Sequence, residues 1–292
     1  GVVPYLMNFY LDAEDAITYV NDDQQASSES QALHKASHQV VRIVVPVFSR
    51  ISNHTDFDAL QLHPHVDLIF VGPGQVLPAA DVIILPGTKN VRKDLALLRE
   101  HQWDTAIMRH LRYGGKLLGI CGGYQMLGET IVDPQGIEDS AGESTGLSLL
   151  ALNTVLAPEK ILTNVEGVMN PLLLKDNKAF EQTQKNTIVS SGYEIHCGVT
   201  TGNEQYTPLI HLSDGRCDGV ISEDNRIIGT YIHGLFDRAE TTTAFLQWAG
   251  ADVLDDVTID LHAIREQQLE RLADCLEEHL SADFFQQFEP TN

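Results

Sequence analysis

The sequence is short of positive charge. Among 292 residues, 19 Lys+Arg stand against 41 Asp+Glu, a formal net charge of −22. A surface this acidic repels phosphate backbones, which argues against a nucleic-acid partner. Long apolar runs are missing too. A stretch such as Ile43-Val44-Val45-Pro46-Val47-Phe48 falls far short of the roughly 18 residues that a membrane helix needs. No basic-then-apolar signal segment is read at the start. The four cysteines, Cys121, Cys197, Cys217 and Cys275, are widely spaced with no Cys-x-x-Cys, a pattern unlike a disulfide scaffold or a zinc ribbon. The twelve histidines form no ligand-spaced pair with them, so no metal site is expected. A Gly-x-x-x-x-Gly-Lys-Ser/Thr phosphate loop is absent as well. What is present is ordinary for a globular protein: 43% hydrophobic and 21% charged residues. At about 150 residues per domain the length allows one large domain or two small ones. These features together predict a soluble protein of a reducing compartment, the cytoplasm.

Along the chain, residues 1–20 open with a short apolar piece, Gly1-Val2-Val3-Pro4-Tyr5-Leu6. Residues 21–39 are rich in Gln, Ser, Ala and His with Leu33 as the one large apolar side chain. They read as a linker, because so little apolar surface does not offset the entropy of ordering. From residue 40 to 250 the pattern is α/β. Strand-length apolar runs recur at Val41–Phe48, Val66–Val71, Val82–Leu85 and Lys116–Cys121. Their apolar character on both faces predicts an open, mostly parallel sheet with helices on both faces. The spacing of Val91, Leu95, Leu98, Ile107, Met108 and Leu111 predicts a helix over Val91–Tyr113, stopped by Gly114-Gly115. Added β-structure is expected from Leu150 to about Pro208, then strands at Gly219–Ser222 and Ile227–Ile232 and a helix near Ala239–Ala249. The last segment, 251–292, carries 11 acidic and 2 basic residues. There Leu261, Ile264, Leu269, Leu272, Leu276 and Leu280 predict one apolar side of a helix docked on the core.

Chemistry concentrates at Gly119-Ile120-Cys121-Gly122-Gly123-Tyr124-Gln125. A nucleophile between small residues, where a strand turns into a helix, is the logic of the nucleophile elbow. The helix start after Cys121 favours a thiolate, and the N–H of Gly122 is placed to donate to a tetrahedral oxyanion. Taken alone this motif is equally a small buried cysteine beside a turn. Thr230-Tyr231-Ile232-His233-Gly234 tips the balance. It puts a histidine at another strand end, and strand ends of a parallel sheet share the rim where ligands bind. His233 is then the base for Cys121. Ile84-Leu85-Pro86-Gly87-Thr88 is a third strand end, whose N–H groups near Gly87 supply the other half of an oxyanion hole. Tyr124 and Gln125, one turn past the nucleophile, are candidate walls of the substrate pocket.

A Gly-x-Cys-Gly-Gly elbow, an upstream Leu-Pro-Gly and a downstream Tyr-x-His-Gly resemble a triad-type glutamine amidotransferase of flavodoxin-like fold. More narrowly, Ser52–Asp58, Leu85–Asn90, Gly192–His196 and Tyr231–Asp237 resemble the cobyric acid synthase family. That resemblance spans nearly the whole chain. It implies that residues 1–20 are the tail of an N-terminal ATP-binding amidoligase domain and that this fragment itself carries no cofactor. ATP and Mg2+ would be used by the amidoligase. Ammonia from glutamine would amidate the b, d, e and g carboxylates of a corrinoid, adenosylcobyrinic acid a,c-diamide, in cobalamin biosynthesis. Most triad amidotransferases carry a glutamate two residues after the histidine, where this chain has Leu235. The corrinoid amidases share that absence. Asp237 and Glu194 are the acids nearest the motifs and thus the candidate third members. Ser52, Asn53 and Asp56 are read as shaping an interface or a substrate path, and His196 as a strand histidine satisfied by packing. Two alternatives stay open: a glutaminase serving another amidoligase, such as one that amidates peptidoglycan precursors, and a docking module inactive without its partner domain.

Overall fold

The computed structural model describes residues 2–4, 6, 40–177, 187–251, 259 and 261–280. The expected linker at 21–39 and the segment Leu11–Ile17 lie outside the described residues. The chain divides into two compact units, one of residues 17–259 and one of residues 1–16 with 260–292.

The larger unit is built on a six-stranded sheet. Its strands are β1 (Val41–Pro46), β2 (Val66–Val71), β3 (Val82–Leu85), β4 (Lys116–Ile120), β11 (Val220–Ile221) and β12 (Ile227–Thr230). Their order is β11-β12-β4-β3-β1-β2, and only β11 runs antiparallel to its neighbour. All four residues of β3 and of β12 are buried, so both faces of the sheet centre are covered. That is why these runs lack polar alternation. The strand ends fall close to expectation, with one exception of consequence: β4 stops at Ile120 and leaves Cys121 outside the ladder.

The single helix expected over Val91–Tyr113 is two: α2 (Val91–Glu100) and α3 (Trp103–Arg112), following the short α1 (Asp58–Leu62). Gln102 breaks it by adopting a left-handed backbone, φ 58°. The new direction re-aims the apolar face. Trp103 and Ile107 are buried, and Met108, expected in the stripe, is exposed. Asn90 caps α2 by accepting a hydrogen bond from the Lys93 N–H at 3.1 Å.

The added β-structure is a second sheet. Two long strands, β7 (Asn153–Met169) and β8 (Val189–Thr201), pair antiparallel. Beside β7 lie β5 (Thr130–Asp133), β6 (Gly142–Thr145), β9 (Ile210–Leu212) and β10 (Cys217–Asp218). The run expected as one strand, Ile227–Ile232, is split at Tyr231. After β12 the chain leaves the first sheet, and β13 (Ile232–His233) pairs with Glu194 and Tyr193 of β8 in the second. The helix α5 (Ala239–Ala249) falls where the sequence predicts it and ends at Gly250 with φ 115°.

In the smaller unit, α6 spans Leu261–His279. Its buried positions are Leu261, Gln268 and Cys275. Leu269, expected in the stripe, is 47% exposed. At 100° per residue it falls roughly 80° away from Leu261, at the stripe's edge, while Gln268 lies almost in line.

Candidate active site

The nucleophile candidate stands where β4 gives way to α4 (Gly122–Met126). Cys121 has φ 50° and ψ −108°, a region that a residue with a Cβ occupies only when its surroundings impose it. The surroundings are visible. The Cys121 N–H donates to the Thr230 carbonyl at 2.8 Å, tying the turn to the end of β12. A Cβ at Gly119 would lie 2.7 Å from the Gly123 carbonyl oxygen, and one at Gly123 would lie 2.1 Å from that of Leu85. The two glycines are therefore what lets the elbow press against β3. The helix after the turn has only five residues, so help for the nucleophile must come mainly from side chains.

That help is His233, fully buried. Its Nδ1–H donates to Asp56 Oδ2 at 2.7 Å, and the N–H of Gly234 donates to the other oxygen of Asp56 at 2.8 Å. With the proton on Nδ1, Nε2 offers its lone pair. Among the described residues Nε2 has no hydrogen-bond partner, and the Cys121 side chain is close enough to act on the ring. The thiol itself points at the Ile195 carbonyl, 3.6 Å away. Burial of the ring opposes its charge. The hydrogen bond to Asp56, then the neighbouring thiol, outweigh burial and raise the imidazole to about 10. The Tyr193 ring stacks on His233 at 5.5 Å, and its hydroxyl accepts from Asn53 Nδ2 at 2.9 Å.

The third group is thus Asp56, and neither acid expected from the sequence occupies the place. Glu194 sits beside β13 but turns to Arg216, whose two terminal nitrogens reach its oxygens at 3.2 and 2.9 Å. Asp237 is exposed at the surface. Asp56 is brought in by a 3-10 turn at His54–Phe57, which follows Asn53 in a left-handed conformation. It is 177 residues from the histidine it holds. The available signal was the Ser52–Asp58 motif, whose only fully buried acid is Asp56.

Backbone donors for an oxyanion gather at Gly122 and the loop after β3. The N–H of Gly122 begins α4 and has no acceptor within its own helix. Across from it, Ser52 N–H donates to Gly87 O at 2.9 Å and Lys89 N–H to Arg50 O at 3.0 Å. Ile51 and Thr88 thereby form an antiparallel bridge, and alternation turns the Thr88 N–H to the opposite side. A Cβ at Gly122 would lie 3.2 Å from that nitrogen. The donor facing Gly122 is Thr88, one residue beyond the expected Gly87, while Gly87 itself leaves room for the His233 ring: a Cβ there would meet His233 Cε1 at 2.8 Å. Buried Asp94 fixes this loop, accepting from Thr88 Oγ1 and, at 2.6 Å, from Ser49 Oγ.

Cys121, Gly122 and Thr88 open on a cleft of about 260 Å³ that Gln125, Glu138 and His196 also line. Gln125 thus stands where expected, donating to the Tyr231 hydroxyl at 3.2 Å. Tyr124 does not reach this cleft. Its ring is buried against Gly229, where a Cβ would approach within 2.1 Å, and edge-on to Tyr231 at 5.2 Å. Neighbouring positions on a short helix point in different directions, so only one of the pair can face the cleft. His196 stacks on Tyr231 at 3.8 Å with Nδ1 on the Gly198 carbonyl, and burial lowers its proton affinity.

A cysteine on a strained elbow, a histidine oriented by a carboxylate and paired backbone donors over a cleft suit acyl transfer from a small carboxamide or ester. Residues 42–241, more than half of the chain, match the CobB/CobQ-like glutamine amidotransferase domain. The chain belongs to that family. Solved structures similar to it include PurLQS from Thermotoga maritima, with 18% identity, 80% of this chain and 100% of that one covered, and a TM-score of 0.49. A putative GMP synthase subunit from Thermoplasma acidophilum shows 15% identity, coverage of 81% and 99%, and a TM-score of 0.47. A glutamine amidotransferase from Thermotoga maritima shows 15% identity, coverage of 82% and 94%, and a TM-score of 0.44. Likeness at this level transfers no chemistry between the proteins. No helix among the described residues is long and apolar enough to cross a membrane.

Proposed function

We propose that this domain hydrolyses glutamine through a Cys121 thioester and that the ammonia serves the ligase half of a cobyric acid synthase in the cytoplasm. The Cys121 proton passes to His233 Nε2, whose raised proton affinity favours a thiolate–imidazolium pair, and Sγ then attacks the side-chain carboxamide carbon. The developing oxyanion takes the N–H groups of Gly122 and Thr88. Collapse of the tetrahedral species breaks the C–N bond, and His233 returns the proton to the departing ammonia. Water, deprotonated by His233, then cleaves the thioester, giving glutamate and the thiol. Asp56 holds the imidazole with Nε2 forward and stabilises the imidazolium that each transfer creates.

The observation that carries this reading is the Asp56–His233 hydrogen bond, with Nε2 left unpartnered among the described residues and Cys121 close to the ring. Support for the corrinoid acceptor is the set of motifs Ser52–Asp58, Leu85–Asn90, Gly192–His196 and Tyr231–Asp237. Activation of the acceptor carboxylate by ATP and Mg2+ is assigned to the ligase. Among the described residues no group of three or more His, Cys, Asp or Glu side chains could hold a metal ion, and no step of glutamine hydrolysis is routed through one. The test is glutamine-dependent amidation by the complete enzyme. Conversion of adenosylcobyrinic acid a,c-diamide to its further amides is expected. Amidation of a lipid-linked peptidoglycan precursor instead would move the domain to another ligase.

A further inference from the structure

The chain reaches its catalytic histidine by crossing twice between the two sheets, and one buried acid touches both crossings. β10 lies in the second sheet and β11 in the first, with Gly219 between them. Gly219 has φ 68°, and a Cβ there would lie 2.2 Å from the Gly229 carbonyl oxygen, so this first crossing favours glycine twice over. β12 follows, and at Tyr231 the chain crosses back to β13 and His233. Asp218, the residue before the first crossing, is buried against the second.

A chain leaving one ladder for another must satisfy its backbone donors elsewhere. Those at Tyr231 and Ile232 converge on Asp218. Its Oδ1 accepts from the Tyr231 N–H at 3.0 Å, and its Oδ2 accepts from Thr230 Oγ1. Thr230 Oγ1 in turn accepts from the Ile232 N–H at 3.0 Å. The Thr230 carbonyl accepts from the Cys121 N–H at 2.8 Å. Thr230 thus holds the nucleophile's turn by its carbonyl and the strand that carries the base by its hydroxyl. The carboxylate fixes that hydroxyl by taking its proton.

We propose that Asp218 and Thr230 are positioning residues, which set the place of His233 relative to Cys121 by tying the second crossing to the elbow. This rests on the reading of Cys121 and His233 as the glutaminase pair. Asp218 is not the partner of the nearby guanidinium, since Arg216 gives its donors to Glu194 and Asp214. Burial first, then Glu194, push the Asp218 carboxyl up to about 6, against the hydrogen bonds from Thr230 and Tyr231 and the charge of Arg216. Protonation turns one of its oxygens into a donor, so one of the two bonds is reversed or lost. The tie is therefore complete above pH 6 and loosens below it. Glu194, His196, Arg216, Cys217, Tyr124 and Tyr231 are the titratable groups that share a cavity of about 360 Å³ with Asp218. His233 itself, raised to about 10, does not titrate in this range.

The test uses the complete enzyme with its ligase. Asp218→Asn keeps an oxygen for the Tyr231 N–H and removes the charge that takes the Thr230 proton. Glutamine-dependent kcat is expected to fall roughly 10–100-fold, as a misplacement of about 1 Å can cause, with KM within about threefold of wild type. Amidation from free ammonia needs neither Cys121 nor His233 and should keep its wild-type rate. Thr230→Val, which keeps the shape without the hydroxyl, should behave like D218N, and Thr230→Ser should recover most of kcat. Wild-type kcat should drop as pH falls through 6, and that limb should be absent from D218N; a limb set by Glu138, raised to about 7 in the cleft, would persist. D218N and T230V enzymes with wild-type kcat overturn the proposal. Equal loss of the glutamine-dependent and ammonia-dependent rates overturns it too, because that marks a purely structural role. If D218N does not fold, the contrast between T230V and T230S decides together with the wild-type limb. A wild-type enzyme that hydrolyses no glutamine refutes the glutaminase reading, and the proposal with it.

Discussion

Two neighbouring strand ends of the same sheet solve the same problem by different means. β4 and β12 pair in parallel, with Ile120 opposite Thr230, and each must project one reactive side chain over the sheet edge. At β4 the solution is local. The chain turns within one residue, Cys121 takes a strained backbone, and Gly119 and Gly123 remove the atoms that would block it. At β12 the solution is distant. The strand breaks at Tyr231, crosses to the second sheet, and His233 is fixed by Asp56 from the turn after β1 and by Tyr193 from β8. A nucleophile's geometry can be set by its immediate neighbours, whereas a base needs a partner for its second nitrogen, and that partner can come from anywhere in the chain.

The sharpest way to break the comparison is to remove the nucleophile and, separately, the carboxylate that positions its base. Cys121→Ser is expected to lower glutamine hydrolysis to background while leaving the thermal midpoint unchanged, measured by ammonia release and calorimetry. Asp56→Asn is expected to cost roughly 10²–10⁴-fold in kcat, the usual contribution of a positioned base. The same substitution has a signature in stability. The folded imidazole, raised to about 10, exceeds its unfolded value, so its stabilisation is fully present below pH 6.5 and is lost as pH rises through 10. Thermal midpoints taken across that window should fall in the wild type and change less in D56N. Third, Gly123→Ala forces a Cβ to within 2.1 Å of the Leu85 carbonyl oxygen. It is expected to destabilise by about 1–3 kcal/mol, as overpacking does, lowering the midpoint by several degrees. The smallest effect belongs to Asp237→Asn, expected within about twofold of wild type, because the carboxylate is exposed and Asp56 holds the histidine.

The same contrast explains what was legible in the sequence. Cys121, its glycines and the strands β2 and β3 could be read from short windows, because the forces that shape them act within a few residues. The break at Gln102 was hidden, since the apolar spacing continues across it and only one left-handed residue changes the direction. Met108 and Leu269 were misplaced for a related reason: periodicity finds an apolar stripe but not its edge. Asp56 lay inside a motif already singled out, yet nothing local says that its carboxylate faces a histidine 177 residues away. Tyr124 and Gln125 are adjacent, and only packing against Gly229 reveals which one turns inward. Glu194 and Asp237 were candidates as the acids nearest the motifs, but Glu194 gives its oxygens to the guanidinium of Arg216.

Mapping the covalent adduct left by a diazo-ketone analogue of glutamine tests the central claim most directly. Peptide mass spectrometry is expected to find one modification, on Cys121, formed much more slowly in Asp56→Asn. An adduct on Cys197, Cys217 or Cys275 with Cys121 unmodified, or labelling indifferent to Asp56, would contradict the account.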